Sequence, residues 1–377
     1  MNGSIRQRSK GTWQLRYDAP PDGTGKRRYV SETFKGNKKD AEQALRDRLT
    51  AIDNGNHVER DKETVFEFMT RWMGTYAVTN TTLKTQQGYR AVIRRYIGPA
   101  LGNTRLQNLA ARQIQSLYSE MTESGLGATS VVSVHHVLKE ALGHAVKWGA
   151  ITRNVADATS PPRIERKTME MWDISDIHRF LDAAANDRFN AVYHLAILTG
   201  LRRSELFGLK WDAVDLAGCT LRVVRTLQRI TGYGLVEGQP KTKRSRRVIS
   251  LAPVAVELLH GVRGAQMEHQ IEYGDLWQNT GYVFTQLNGQ PVDPDMVSKK
   301  FPKLVKAQGL PHLTFHGLRH ANATLALIAR VKPKVLSERL GHSSIAVTMD
   351  IYAHLIPGME EEAALAVEQL LERPGTV

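Results

Sequence analysis

The sequence predicts a multidomain protein that is mainly α-helical and carries small β-sheets. Its 377 residues exceed what one hydrophobic core usually serves, so two or three domains are expected. Helical periodicity covers most of the chain after residue 64, whereas the alternation typical of strands occurs only in short runs. The stretch ATSPPRIERKT at 158–168 has two prolines and alternating charge, and it indicates a linker between the main parts, placed at residues 159–168.

Residues 1–60 are predicted to form a three-stranded sheet and one helix. Trp13, Leu15 and Tyr17 alternate with polar residues, which is the period of a half-buried strand. PPDGTGK supplies a turn and RRYVSETF a returning strand. Asn37 is placed to cap the helix that follows.

Residues 64–158 are predicted to be entirely helical. Thr64 is a capping residue, and the apolar residues of the first helix fall on one stripe: Val65, Phe68, Met69 and Trp72. Arg90, Arg94 and Arg95 flank the apolar stripe of the second helix without acidic neighbours. This pattern suits a helix that crosses a phosphate backbone, although a solvated surface is the usual explanation of such a cluster.

Helix and strand signals mix over residues 169–377, which predicts an α+β domain. Gly200 ends one helix, RRSELFGLKW predicts the next, CTLRVVRT alternates as a strand, and QPKTKRSRRVISL predicts a basic hairpin. The remainder is predicted to be helical. The last segment, 359–377, is an acidic amphipathic helix that docks either on its own domain or on a neighbouring protomer.

Composition favours a polyanionic partner. The formal net charge is +13, and Lys or Arg side chains that neutralise phosphates release counterions. The alternative is a basic protein without a nucleic-acid role. The single cysteine, Cys219, excludes an internal disulfide framework and a multi-Cys zinc site. Since no run of about 18 apolar residues occurs, neither export nor membrane spanning is indicated, and a cytoplasmic protein is expected.

Five side chains together could split a phosphodiester without a metal. The guanidiniums of Arg202 and Arg319 match phosphate oxygens, and His316 lies one helical turn before Arg319. Lys241 could protonate the departing 5′ oxygen, and Tyr352 could supply the nucleophilic hydroxyl. Taken singly, each is more often a surface or core residue. Their order along the chain is what indicates chemistry.

That order resembles the tyrosine recombinase family, specifically the phage-type integrases. TGLRRSELFGLKW is similar to the first arginine box of the family, HGLRH to its second, and LGHSSIAVTMDIYAHL to its closing segment. The resemblance implies a catalytic set with Glu205 as a supporting acid and Tyr352 as the nucleophile: Arg202, Lys241, His316, Arg319, His342 and Tyr352. Gly317 departs from the common pattern, where an acidic residue is frequent, and so does Val155, where Pro is usual.

The lysine has two candidates, because PKTKRSRR places Lys243 two positions after Lys241. The resemblance favours Lys241 as the general acid. The other basic residues of this segment would then contact backbone phosphate: Lys243, Arg244, Arg246 and Arg247.

The resemblance also implies an architecture and a reaction. Residues 1–60 would bind arm-type sites, 64–158 would form a SAM-like core-binding domain, and 169–377 would be catalytic. Four protomers on double-stranded DNA would cut and rejoin strands through a 3′-phosphotyrosine, without ATP, metal or another cofactor, to integrate or excise a prophage or mobile element. A directionality factor or DNA-bending protein is a further expected partner. The alternatives are a plasmid or chromosome resolvase of the same chemistry, a DNA-binding regulator that does not cut, and a type IB topoisomerase.

Overall fold

The computed structural model describes residues 3–19, 28–53, 61–165, 172–240, 243–342, 344–346, 349 and 368. Most of these residues are helical and the sheets are small, as predicted. The chain divides into two compact units, residues 1–166 and 167–377. Within the described ranges, no helix is both long enough and apolar enough to cross a membrane.

The first unit begins with a small antiparallel sheet and one helix. The elements are β1 (Gly3–Ser9), β2 (Thr12–Ala19), β3 (Arg28–Lys35) and α1 (Lys38–Asp53), with β2 in the centre of the sheet. Leu15 and Tyr17 of β2 are buried together with Ala41 of α1. Asn37 accepts a hydrogen bond from the backbone N–H of Asp40 at 2.9 Å, so it caps α1 as expected.

The rest of the first unit is helical and has its own hydrophobic core. Its helices are α2 (Val65–Trp72), α3 (Val78–Asn80), α4 (Leu83–Val92), α5 (Gly98–Leu101), α6 (Ala111–Glu123) and α7 (Ala128–Lys147). The π-helical turns Met73–Ala77 and Ile93–Ile97 join α2 to α3 and α4 to α5. Thr64 and Glu67 form a capping box at the start of α2, and the predicted apolar stripe of this helix is buried.

The second unit combines seven helices, as far as its described residues show, with two small sheets. The helices are α8 (Ile174–Ala183), α9 (Asn190–Thr199), α10 (Arg203–Phe207), α11 (Pro253–Tyr273), α12 (Pro294–Ala307), α13 (Gly317–Ile328) and α14 (Pro333–Leu340). The strands are β4 (Val214–Asp215), β5 (Thr220–Val223), β6 (Thr226–Ile230), β7 (Gly234–Gly238) and β8 (Arg247–Ser250). One sheet has the order β4-β5-β8 and the other pairs β6 with β7.

The strand pairing corrects the predicted basic hairpin over QPKTKRSRRVISL. β7 pairs with β6 and β8 pairs with β5, so the strands on either side of this segment lie in different sheets. The hairpin that forms instead is β6-β7, whose turn contains Gly232 and Gly234 at positive φ. The basic segment is therefore a connection between the two sheets.

Two further elements are shorter than the sequence pattern predicts. The helix expected over RRSELFGLKW ends at Phe207, and Gly208 caps it where an added Cβ would lie 2.7 Å from the Cα of Thr226. The run CTLRVVRT divides between β5 and β6. Cys219 lies before β5 with φ +50 and is exposed, so it is not a strand residue.

Candidate active site

Gly200 sets the direction of the chain at the site. It follows α9 with φ +64, a conformation that favours glycine. A Cβ at this position would lie 2.5 Å from both Asn322 Oδ1 and Leu340 Cδ2, so no larger residue fits. The chain therefore turns directly from α9 towards α10, whose N-terminal cap is Arg202.

Arg319 projects from α13 and is held by backbone carbonyls. The side chain donates from Nη1 to Gly200 O and from Nη2 to Leu340 O, both at 2.7 Å, and the residue is 4% exposed. These carbonyls lie at the C-terminal ends of α9 and α14, where the helix dipole places partial negative charge. The two carbonyls offset part of the cost of burying the guanidinium, while burial and then the charge of Arg202 lower the pKa of Arg319 to about 9.

Arg202 is fixed beside the same backbone segment. Its Nη2 donates to Gly341 O at 2.7 Å, and its Nη1 donates to Glu205 Oε1 at 2.7 Å. The consecutive carbonyls of Leu340 and Gly341 thus hold Arg319 and Arg202, which lie more than 100 residues apart in the sequence. Roughly a third of the Arg202 side chain, 33%, remains exposed to solvent.

Glu205 is the carboxylate among these cations. Besides binding Arg202, it accepts hydrogen bonds from Arg247 Nη1 at 3.2 Å and from Nη2 at 3.0 Å. Burial raises the pKa of this carboxyl, but the hydrogen bonds and charges of Arg247 and Arg202 outweigh that effect and leave the pKa below its ordinary value. Glu205 is therefore ionised, and three guanidiniums around one carboxylate leave an excess of positive charge for an anionic ligand.

The predicted histidines lie within electrostatic range of this pair of arginines. Partial burial, followed by the charges of Arg319 and Arg202, lowers the pKa of His342 to about 4. His316 is exposed by its solvent-accessible area, yet neighbouring atoms around its ring, followed by the charges of His320 and Arg319, lower its pKa to about 4 as well. Both imidazoles are neutral at pH 7, and each then presents one N–H donor.

Arg247, which is predicted to contact backbone phosphate, has contacts inside the second unit. Its side chain is 7% exposed, it pairs with Glu205, and its Nε donates to Arg339 O at 2.5 Å. Little of the side chain is exposed to meet a phosphate, and the phosphate contact itself stays a prediction. The pairing was missed because 42 residues separate Glu205 from Arg247; the one available signal was that a carboxylate placed among arginines needs more than one cationic partner.

Several predicted residues lie elsewhere or outside the described part of the chain. Lys241 and Tyr352 lie outside the described residues, and so does the segment 359–377 apart from Glu368. Lys243 begins a 3₁₀ turn, Lys243–Ser245. Arg244 and Arg246 are exposed, and Arg246 donates to Gln239 Oε1. The first unit carries the exposed cluster on α4 and the π-helical turn that follows it: Arg90, Arg94 and Arg95.

The side chains around the Arg202 and Arg319 site are guanidiniums and neutral imidazoles, with Glu205 as the carboxylate that pairs with Arg202 and Arg247. In the described ranges, no group of three or more His, Cys, Asp or Glu side chains could hold a metal ion. Chemically, the arrangement can bind a phosphate group and stabilise negative charge that develops on its nonbridging oxygens.

Two family models match the chain. The model described as the phage integrase family matches residues 168–358, and the model described as the phage integrase N-terminal SAM-like domain matches residues 64–122. The first covers residues 168–358 of the second unit, and this range includes all the arginine and histidine residues of the site.

Individual relatives match over nearly the whole chain. A tyrosine recombinase XerC-like protein of Caldanaerobacter subterraneus is 29% identical over 358 residues, covering 90% of this chain and 91% of the relative. The solved Tn1549 transposon integrase, in complex with transposon right end DNA, has a TM-score of 0.68 at 23% identity, with 82% of this chain and 100% of that chain covered. A lambda integrase tetramer bound to a Holliday junction has a TM-score of 0.59 at 19% identity, with 92% and 94% covered.

Proposed function

The chain belongs to the phage integrase family, and from that premise we propose that it cuts and rejoins DNA through a covalent bond between Tyr352 and a 3′ phosphate. It is a tyrosine recombinase, a site-specific recombinase of mobile elements. The observation that carries the proposed chemistry is the pair of guanidiniums, Arg202 and Arg319, held by the consecutive carbonyls of Leu340 and Gly341.

The arginine pair would bind the phosphate that is cut. The transition state spreads negative charge over the nonbridging oxygens, and guanidinium donors fixed before the reaction stabilise that charge without reorganisation. Contacts to described residues occupy two N–H groups of Arg319 and three of Arg202, counting its backbone N–H, so side-chain donors remain for phosphate oxygens. His316 and His342 would add neutral N–H donors, and an arriving phosphate would raise their pKa values.

Bond formation and cleavage balance without a cofactor. The Tyr352 hydroxyl loses its proton to solvent as its oxygen attacks phosphorus, the bond to the 5′ oxygen breaks, and the Lys241 ammonium gives that oxygen a proton, with Lys243 as the alternative donor. In the second half of the reaction, the 5′ hydroxyl of a partner strand returns a proton to the neutral lysine as it attacks the phosphotyrosine, and the bond from phosphorus to Tyr352 breaks. The released Tyr352 oxygen takes up a proton from solvent. One phosphodiester replaces another through a phosphotyrosyl bond, so no ATP is consumed.

The proposed partner is double-stranded DNA at core and arm sites. Three observations support it: the net charge of +13, the exposed arginines of α4 and of the π-helical turn after it, and the DNA in the structure of the transposon integrase relative. We assign arm sites to residues 1–60, core sites to 64–158 and catalysis to 169–377. A tetramer on DNA is proposed by analogy with the lambda integrase assembly. A directionality or DNA-bending protein, and docking of segment 359–377 on its own or a neighbouring domain, stay predictions.

A nicked suicide duplex tests the proposal. On such a substrate the freed 5′ fragment diffuses away, so the covalent intermediate accumulates. We expect a protein–DNA adduct that withstands denaturing electrophoresis, forms in EDTA, and disappears in Tyr352→Phe while half-site binding persists. Specific binding without an adduct would favour the non-cleaving regulator, and loss of the adduct in EDTA would contradict the metal-free chemistry.

A further inference from the structure

The guanidinium of Arg247 joins three separate segments of the second unit. Arg247 is the first residue of strand β8, and its guanidinium donates to the Glu205 carboxylate from Nη1 at 3.2 Å and from Nη2 at 3.0 Å. Its Nε donates to Arg339 O at 2.5 Å, and its Nη1 also reaches Ser245 O at 3.0 Å. With a side chain that is 7% exposed, Arg247 has little freedom to adopt another rotamer.

Two contacts of Arg247, to Glu205 and to Arg339 O, lead to groups that hold Arg202 and Arg319. Glu205 binds Arg202 directly, at 2.7 Å from Nη1. Arg339 immediately precedes Leu340 and Gly341, whose carbonyls hold Arg319 and Arg202. Gly341 packs closely against Arg247, because a Cβ there would lie 3.1 Å from Arg247 Nη1.

Removing Arg247 would leave Arg202 as the guanidinium bound to Glu205. The carboxylate is 3% exposed and now shares its charge between two guanidiniums. Without Arg247, its buried charge would be compensated by Arg202 alone, which would draw Arg202 towards Glu205 and away from a phosphate. The same loss would remove the bond from Arg247 Nε to Arg339 O and would leave the bond from Arg339 Nη1 to Ser250 O, at 3.2 Å, as the hydrogen bond between Arg339 and β8.

We propose that Arg247 is a positioning residue, which sets both Arg202 and Arg319 for phosphate through Glu205 and the 339–341 backbone. The inference rests on the proposed strand cleavage. Because Lys241 precedes Arg247 by six residues, the same contacts anchor one end of the segment that carries the proposed general acid.

The direct test replaces Arg247 by lysine. Arg247→Lys keeps the charge but cannot reach both carboxylate oxygens and Arg339 O at once, because an ammonium lacks the planar fork. We expect single-turnover cleavage of the suicide duplex to slow by roughly 10- to 100-fold, as for a sub-ångström to 1 Å misplacement. Affinity for a half-site should change by less than about twofold, because the Arg247 side chain is only 7% exposed and its N–H groups bind Glu205 and main-chain carbonyls.

Arg225→Lys is the matched control. Arg225 holds Asp212 through the same two-point contact, with both N–O distances at 2.7 Å, but it lies outside the phosphate site. Its cleavage rate and affinity should both stay within about twofold of the wild type. Equal slowing in the two variants, or a parallel loss of affinity and rate in Arg247→Lys, would show a general structural role and overturn the proposal.

A double-mutant cycle tests whether Arg247 acts through Glu205. If it does, Glu205→Gln combined with Arg247→Lys should cleave no more than about threefold slower than the slower single variant. Losses that multiply would mean independent roles and would contradict the inference. The wild-type adduct in the same assay separates the two hypotheses: no wild-type adduct refutes the proposed function, whereas an adduct with unimpaired Arg247→Lys refutes only the role of Arg247.

Discussion

Arg202 is the more accessible of the two arginines, which makes it the better residue for testing the phosphate clamp. Arg202→Lys removes the planar fork and leaves the positive charge. Cleavage of the suicide duplex should slow by about 10²- to 10³-fold, the usual cost of losing one donor to a developing charge. Half-site affinity should stay nearly unchanged. A parallel fall in affinity and cleavage would argue against a role confined to the transition state.

His316 and His342 predict how stability depends on pH. Their pKa values of about 4 lie below the ordinary histidine value of about 6.5, so the unfolded chain binds more protons than the folded one between those two values. The free energy of unfolding should therefore fall as the pH is lowered from 7 to 5, measured by urea denaturation.

The control for this pH effect is the double variant His316→Asn with His342→Asn. It should lose less stability over the same pH interval, because two of the depressed histidines are gone. The pKa of His320 and of His135 is also lowered by burial, and their contribution is common to both proteins. An equal fall in stability in the wild type and the double variant would contradict the assignment.

For single residues, the sequence predicted which side chains lie at the site better than it predicted what those side chains contact. The order of Arg202, His316, Arg319 and His342 singled out side chains that the structure brings within electrostatic range. It could not predict that main-chain carbonyls would hold both arginines. It also could not predict that Arg247 pairs with Glu205, because a basic run in isolation contains no information on which of its side chains binds a buried acid.

Among the elements, the junction between α9 and α10 controls the site most directly. Gly200→Ala would force a Cβ to 2.5 Å from Asn322 and Leu340 at φ +64. We expect the free energy of unfolding to fall by about 1–3 kcal/mol. Cleavage should also slow, because the carbonyl of Gly200 holds Arg319.

Gly232→Ala separates crowding from backbone strain. Gly232 has φ +84, and its added Cβ would meet nothing within 4 Å. This variant should lose about 1 kcal/mol from the left-handed conformation alone and keep its cleavage rate. If Gly200→Ala cost no more than Gly232→Ala, the close packing at Gly200 would not matter.

Elements with strong local signals were predicted well, and those decided by distant contacts were not. The capping box at Thr64 and the alternation of β2 are local, and both are present. The strand after the basic segment, β8, pairs with β5, and an alternating pattern of apolar residues does not specify which strand will be the partner. The residue that caps the short α10, Gly208, lies against the backbone of Thr226, and this contact joins residues 18 positions apart.

For the molecule as a whole, charge is the property that the proposed function uses. Arg94 and Arg95 are exposed on the helical part of the first unit. If each contacts one phosphate, each alanine substitution should lower the salt dependence of half-site binding by about 0.9 in log K against log salt. Arg71→Gln is the control, because Arg71 is already paired with Glu63 through bonds of 2.8 and 2.7 Å. Unchanged slopes in the alanine variants would remove this surface from the DNA interface.

The fold class and the reaction class could both be predicted from the sequence, because several sequence motifs that lie far apart occur in the order typical of one family. Domain boundaries, arm-site binding and assembly stay predictions. They depend on DNA and on other protomers, whose positions no intrachain pattern specifies.

The most direct measurement maps the covalent bond. After trapping on a nicked duplex in EDTA, trypsin should release the peptide from Leu340 to Val377, which contains one tyrosine, Tyr352. We predict that mass spectrometry finds the nucleotide on Tyr352 through a 3′ phosphate and that the released strand has a free 5′ hydroxyl. A bond to another residue, a 5′-phosphate linkage, or no bond despite specific binding would contradict the proposed mechanism.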